Sequence, residues 1–346
     1  MFSKQAYLGL LGVHHTGTPE PGLPLAVGLR RIAGNDVCLH ALCTYPVTPA
    51  LGLSRFFDMI TLIPEMSEGS SAFLSSIAGL LRQYRIDYIV PGVDPEAILI
   101  SSIQAQLADL GIQTLLPEYH NVCRTSKASL CNEAALSPYP LARGNVVDTV
   151  EDLKHISFPF LVKGNICDSY VVNSFSEAVI AFERISQIWG RPAIAQEFLE
   201  GDEYAVCALA GPQPGSLAGC AAIKKIGITE KGKSWMGVII ESSELTDIAK
   251  AVVRDLEWRG PLEIELRLVP GRGFVVFEIN PRFPAWLRWL DCDPYGMVHL
   301  FIDLLLAREP RPLSLMSGTV GVRVNRYVCF PIDKLIRLSG QKHVEN

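Results

Sequence analysis

From residue 7 to about residue 118, short apolar runs alternate with stretches of helical period. Tyr7–Val13, Val37–Cys43 and Tyr88–Pro91 read as strands, and Leu23–Ala33, Ser70–Tyr84 and Glu96–Leu110 as helices. That βαβ rhythm predicts a parallel sheet with helices on both faces, so residues 1–118 are expected to form a Rossmann-like α/β domain. Two turns, 12–17 and 91–96, fall at the carboxyl ends of strands, where open α/β sheets take ligands. Neither matches GxGxxG, which disfavours a nicotinamide-dependent oxidoreductase. His14, His15, Asp94 and Glu96 sit in these turns, either as substrate contacts or as ordinary turn residues.

The rhythm then changes to α+β. Residues 119–198 offer a helix at Lys127–Ala135, a strand at Phe158–Lys163, a helix from Phe175 to about Trp189, and a strand at Ala193–Phe198. Ser174 and Glu177 are spaced as a capping box ahead of the second helix. Residues 199–346 read as strands at 203–210, 217–226 and 235–241, a helix at 244–257, a hairpin at 261–280 and a helix near 295–307.

The hairpin carries the sharpest pattern. Leu262, Ile264, Leu266 and Leu268 alternate with Glu263, Glu265 and Arg267, so one face is core and the other charged. The return strand, Phe274–Asn280, puts Glu278 and Asn280 on one face. Directly opposed residues of an antiparallel pair point the same way, so a register placing Glu278 opposite Ile264 would put an acid on the apolar face, whereas Glu263 or Glu265 opposite it respects both patterns. Two carboxylates at that spacing repel unless a cation lies between them. Hard oxygen donors plus an amide suit Mg²⁺. On this reading Glu278→Gln relieves repulsion in the metal-free protein and raises its melting temperature.

Composition narrows the partners. The 346 residues are 49% hydrophobic and 19% charged, with 31 Lys and Arg against 36 Asp and Glu, a net charge of −5. That balance argues for a large core and against nucleic acid. Nine scattered cysteines with no CxxC pair argue for a reducing, cytoplasmic setting. The longest uncharged stretch, Tyr204–Ile223, is broken by Gly211 to Gly215, so no membrane span is expected.

Glu278-Ile279-Asn280-Pro281-Arg282 resembles the E-x-N-P-R run of the ATP-grasp superfamily, of carboxylate–amine ligase type. Phe158–Lys163 resembles its strand ending in a phosphate-binding lysine, and 196–204 its adenine hinge followed by a ribose-binding acid. The resemblance covers about residues 120–307. It implies a small lobe over 119–198 and a C-terminal lobe over 199–346 holding MgATP between them. Lys127 and Lys163 would touch the nucleotide, with the main chain of the Glu197-Phe198-Leu199 hinge on the adenine edge, Gln196 on its amino group and Glu203 on the ribose. Glu265, Glu278 and Asn280 would bind two Mg²⁺ ions, with Mn²⁺ a substitute.

Of Lys224 and Lys225 only one can point inward, and Lys225 is the candidate. Arg282 would face the transferred phosphoryl group or acyl phosphate, and Arg267 would either neutralise the acids or clamp a substrate carboxylate. The implied reaction joins a small carboxylate to an amine, such as an amino acid or peptide, through an acyl phosphate with release of ADP. The alternatives are an ATP-dependent carboxylase and a non-catalytic nucleotide-binding module. The resemblance also admits a homodimer. One departure stands out: the loop 164–170 after the lysine strand has a single glycine and an acid, Asp168, where the family has a glycine-rich loop. That composition predicts a loop that stays open with MgATP alone.

Overall fold

The computed structural model describes residues 5–14, 20–229, 232–291, 294–324 and 328–345. His15 and part of the first sheet-end turn lie outside them.

The N-terminal part runs β1 (Ala6–Leu10), α1 (Gly22–Ala33), β2 (Val37–Cys43), α2 (Pro49–Gly52), β3 (Met59–Leu62), α3 (Ser70–Leu80), β4 (Tyr88–Val90), α4 (Asp94–Ser102), α5 (Gln104–Asp109) and β5 (Gln113–Thr114). β1 lies between β2 and β4, all parallel, with β3 beyond β2 and β5 beyond β4. Chain order therefore reverses between β1 and β4, which opens a crevice at their carboxyl ends. Gly12 and Gly92 meet there back to back. Gly12 has φ +60°, and a Cβ on it would sit 2.5 Å from the Gly92 Cα, so both must be glycine. Glu96 ties the two turns together, accepting from the N–H groups of Gly12 (3.1 Å), Gly92 (2.8 Å) and Val93 (3.0 Å). It is a buried structural clamp. The expected helix 96–110 is two helices that break at Ile103.

Next come α6 (Tyr119–Arg124), α7 (Lys127–Glu133) and the strands β6 (Gly144–Val147), β7 (Phe160–Lys163) and β8 (Ser169–Val172). Then follow α8 (Phe175–Trp189) and β9 (Ala193–Glu197). The small sheet has the order β6-β9-β7-β8, all antiparallel. α8 covers it with Ala178, Phe182 and Ile185, spaced four and three residues apart on one face. Ser174 caps this helix through the Glu177 N–H. The Glu177 carboxylate reaches back to Asn173, one residue further than a capping box requires.

β10 (Asp202–Ala210), β11 (Leu217–Ile228), β12 (Ser234–Ile240), β13 (Gly260–Val269), β14 (Gly273–Asn280) and β15 (Val320–Val322) form the large antiparallel sheet, ordered β14-β13-β10-β11-β12-β15. α9 (Ser243–Asp255) packs on one face through Leu245, Ala249 and Val252. The other face shares a continuous core with α1, α10 (Met297–Leu305) and the parallel sheet, where Ala205, Cys207, Trp286 and Leu300 join Leu8, Leu25 and Leu39.

The unit expected over 199–346 does not keep to one lobe. α11 (Ile332–Gln341) leads into β16 (His343–Glu345), which pairs antiparallel with β3 at the edge of the N-terminal sheet and buries Val344. Among the described residues the eight cysteines are free, and no helix is long and apolar enough to cross a membrane.

Candidate active site

The hairpin β13–β14 sets Glu265 directly opposite Glu278 and Glu263 opposite Asn280. Between Glu265 and Leu266 the register shifts by one residue, because Leu266 pairs with Val276. The bulge at Phe277 lets the apolar alternation of β14 continue into the core while aiming Glu278 at the charged face.

Cations surround that face. Glu278 lies 3.6 Å from the Lys127 Nζ and 3.7 Å from the Lys163 Nζ. Lys225, on β11, pairs with Glu265 and lies 3.5 Å from Glu203. Its neighbour Lys224 points out to Asp202 at 2.6 Å. Arg282 pairs with Glu263 and lies 3.4 Å from Asp94. The Asn280 amide nitrogen donates to Glu263 (3.2 Å) and Glu265 (3.3 Å), so any cation would meet its oxygen.

Lys127, Lys163 and Lys225 are all buried, which is costly for an ammonium unless acids face it. Burial works to raise the Glu278 pKa, but Lys127, Lys163, Arg282 and Lys225 overcome it and hold the carboxyl at about 2. Glu265 goes the other way. Burial, with Glu263 and Glu278 nearby, pushes it up to about 7 against the pull of Lys225. Burial and neighbouring charges thus shift the two carboxyl groups of one hairpin in opposite directions, Glu278 down and Glu265 up.

The expectation that acid repulsion dominates the metal-free site rests on the hairpin alone, and four cations that the hairpin does not show act against that repulsion at Glu278. The same donor set fits a divalent ion: two facing carboxylates and an amide oxygen. Among the described residues no group of three or more His, Cys, Asp or Glu side chains is arranged to hold a metal unaided.

At the other end of the site, Gln196 is buried between Lys163 and the Phe277 carbonyl, accepting at 3.0 Å and donating at 3.2 Å. The Glu197 N–H donates to the Arg143 carbonyl, and its carboxylate pairs with Arg272 at 2.8 Å. The Leu199 carbonyl accepts from Arg267 at 3.0 Å. Phe198 is partly exposed, with the Arg267 guanidinium 6.0 Å from its ring centroid. Arg267 also pairs with Glu203, directly opposite it on β10. Its guanidinium therefore braces the hinge and the ribose-side acid. The structure does not place it against the Glu265–Glu278 pair.

The loop 164–170 is closed on itself. Gly164 donates to the Asp168 carbonyl at 3.1 Å, and Asp168 has φ +65°, the conformation a glycine usually supplies. Its carboxylate accepts from the Trp189 indole at 2.8 Å, so its charge is spent there. The Ile166 carbonyl accepts from Lys127 at 3.3 Å, which ties the loop to the acid–lysine cluster.

Glu263 belongs to the cluster as well, with no role foreseen for it in the sequence. It is buried, and besides Arg282 and Asn280 it accepts from the Trp286 indole at 2.8 Å. The alternation that singled out Glu265 marked it equally. Trp286 and Trp289 pack 6.2 Å apart in the core.

Residues 162–285 match the family model described as an ATP-grasp domain. That segment is an ATP-grasp domain by this match. Solved structures superpose on nearly the whole chain at low identity. N5-carboxyaminoimidazole synthetase from Staphylococcus aureus gives a TM-score of 0.69 at 12% identity, over 91% of this chain and 81% of that one. An L-amino acid ligase from Bacillus licheniformis gives 0.66 at 15%, over 89% and 75%. The biotin carboxylase domain of a 2-oxoglutarate carboxylase from Hydrogenobacter thermophilus gives 0.67 at 13%, over 88% and 70%. A comparison with curated proteins finds no match. At these identities the likeness establishes the fold, a parallel-sheet domain followed by the two ATP-grasp lobes.

Proposed function

We propose that this ATP-grasp chain is an ADP-forming carboxylate–amine ligase. The observation that carries the reading is the Glu265–Glu278 pair, opposed across one hairpin and ringed by Lys127, Lys163, Lys225 and Arg282. Glu265, Glu278 and Asn280 would hold Mg²⁺, which when bound neutralises phosphate charge. Gln196, the 197–199 hinge and Glu203 would orient the nucleotide, with the Leu199 N–H facing the adenine edge.

A substrate carboxylate oxygen then attacks the γ-phosphorus and ADP leaves. Lys127, Lys163 and Lys225 stabilise charge on the transferred group as they leave their acids. The amine nitrogen attacks the resulting acyl carbon, phosphate departs, and one proton is released for each amide formed. Arg282, kept protonated and fixed by Glu263 and Asp94, would stabilise the oxyanion of that step.

A carboxylase that uses bicarbonate as the acid is the second reading, favoured by the N5-carboxyaminoimidazole synthetase and biotin carboxylase neighbours. ADP release over pairs of acids and amines, with and without bicarbonate, separates the two. Turnover that requires an organic acid and an amine together supports the ligase. Dependence on bicarbonate supports the carboxylase, and AMP formation or no pair-dependent turnover overturns the ligase.

A further inference from the structure

The small sheet and α8 are entered through residues 140–143 and left through 197–202. Both connections run along the β13–β14 hairpin. On the way in, the Ala142 N–H donates to the Val276 carbonyl and the Val276 N–H to the Pro140 carbonyl, each at 2.8 Å. On the way out, Arg267 of β13 donates to the carbonyls of Leu199 (3.0 Å) and Gly201 (3.3 Å).

Glu197 joins the two connections. Its N–H donates to the Arg143 carbonyl at 2.9 Å, and its Oε1 accepts from the Arg143 N–H at 2.8 Å. Arg272, in the turn between β13 and β14, grips the same carboxylate with both ends of its guanidinium, Nη1 on Oε2 at 2.8 Å and Nη2 on Oε1 at 3.1 Å. The turn is itself fixed, because Val269 pairs with Gly273 and the Arg272 N–H donates to the Val269 carbonyl at 3.0 Å. Burial works to raise the Glu197 pKa, but Arg272 and the Arg143 N–H overcome it and hold the carboxyl below its ordinary value, so the pair is intact at neutral pH.

Successive residues of β9 face opposite ways. Gln196 points inward to Lys163 and the Phe277 carbonyl, whereas Glu197 points outward, where its side chain is 26% exposed and that of Arg272 39%. A nucleotide that draws Lys163 to its phosphates loosens the inner contacts, but it has no group to offer the outer fork. The fork therefore survives binding. A planar, two-bonded contact constrains angle as well as distance, so it sets how the strand leaving β9 lies against the hairpin.

Resting on the nucleotide-binding part of the ligase reading, we infer that Arg272 is a positioning residue for base selection: through Glu197 it holds the main chain of residues 197–199 at the distance and angle from the hairpin at which the adenine edge is read. Nothing in this role requires Arg272 to touch the nucleotide.

Calorimetric titration of the full chain with MgADP and with MgIDP tests this, since IDP carries an oxygen where ADP carries the 6-amino group. The wild type is expected to prefer ADP. Arg272→Met should weaken ADP about fivefold, the upper end of what an ion pair of this exposure contributes, and IDP by less than about twofold, so that selectivity falls. Glu197→Gln keeps an acceptor for the Arg143 N–H but loses the charge, and should reproduce that loss. Combining the two changes should weaken ADP no further than either alone, because each removes the same contact. Arg272→Lys, which keeps the charge without the fork, should recover only part of the affinity. Lys250→Met breaks an exposed pair with Asp247 on α9 and is expected to leave both affinities unchanged.

The inference is overturned, with nucleotide binding intact, if neither Arg272→Met nor Glu197→Gln changes ADP affinity, if ADP and IDP weaken equally, if the two losses add, or if the wild type binds IDP as tightly as ADP. A wild type that binds neither nucleotide overturns the nucleotide reading itself, and this inference with it.

Discussion

Glu278→Gln tests the electrostatics of the site before any substrate is added. The change keeps the side-chain volume and removes the charge that faces Lys127 and Lys163. The carboxyl is held at about 2 from an ordinary value of 4.5, which corresponds to about 3 kcal/mol of stability at neutral pH. Glu278 is about a quarter exposed, and screening lowers the expected loss to about 2 kcal/mol.

Spread over a cooperative unit of roughly 200 residues, that loss lowers the melting temperature by roughly 4–8 °C. The sign follows from a depressed folded-state pKa. The contribution is complete above the unfolded value near 4.5 and fades as pH falls toward 2, so the gap between wild type and variant should shrink to less than half near pH 3. Calorimetry of the nucleotide-free, metal-free protein at pH 7 and at pH 3 measures both points. A variant as stable as wild type at pH 7, or more stable, would refute this account and show that acid–acid repulsion outweighs the attraction of the surrounding cations.

Arg282→Lys should keep charge but lose the fork held by Glu263 and Asp94, lowering ADP-forming turnover by about 10²-fold with little change in nucleotide affinity, as steady-state kinetics and nucleotide titration would show. Glu96→Gln leaves one acceptor oxygen for three N–H groups and should destabilise the N-terminal sheet by about 1–3 kcal/mol, read by hydrogen exchange at Gly12, Gly92 and Val93. Asp168→Ala must adopt a positive φ without the Trp189 bond and should cost about 2 kcal/mol in chemical denaturation, while Asp168→Gly should recover the backbone part. Lys225→Ala should cost more stability than Lys224→Ala, because Lys225 is buried against two acids and Lys224 is a surface partner of Asp202.

How far these features were legible depends on how local their causes are. That Glu278 faces the charged side of β13 follows from strict alternation over Leu262–Leu268, since a one-residue slip would turn every leucine to solvent, but alternation does not choose between Glu263 and Glu265. The bulge at Phe277 leaves no such trace, because Phe277 is an apolar residue among apolar residues. Lys127 meets Glu278 across 151 positions, and no periodicity reports a contact of that kind. The predicted repulsion therefore took the sign that the hairpin alone dictates. β3 and β16 escaped notice for a different reason: their pairing is set by the sheet they complete and not by a pattern in their own few residues. Asp168 carries a third lesson. A loop judged by its glycine count looks strained until the Trp189 indole, a partner 21 residues away, is known to hold the turn.

The pairing of β16 with β3 bears on the order in which the protein can be assembled. β3 ends at Leu62 and its neighbour begins at His343, so the ribosome must add some 280 residues before that sheet margin is covered. At typical elongation rates of about 5–20 residues per second, the interval lasts roughly 15–60 s. Throughout it, the nascent N-terminal sheet presents one open row of amide and carbonyl groups, a template for any passing strand. A chaperone-depleted translation system should accordingly yield more aggregate from chains arrested before residue 343 than from chains released after it.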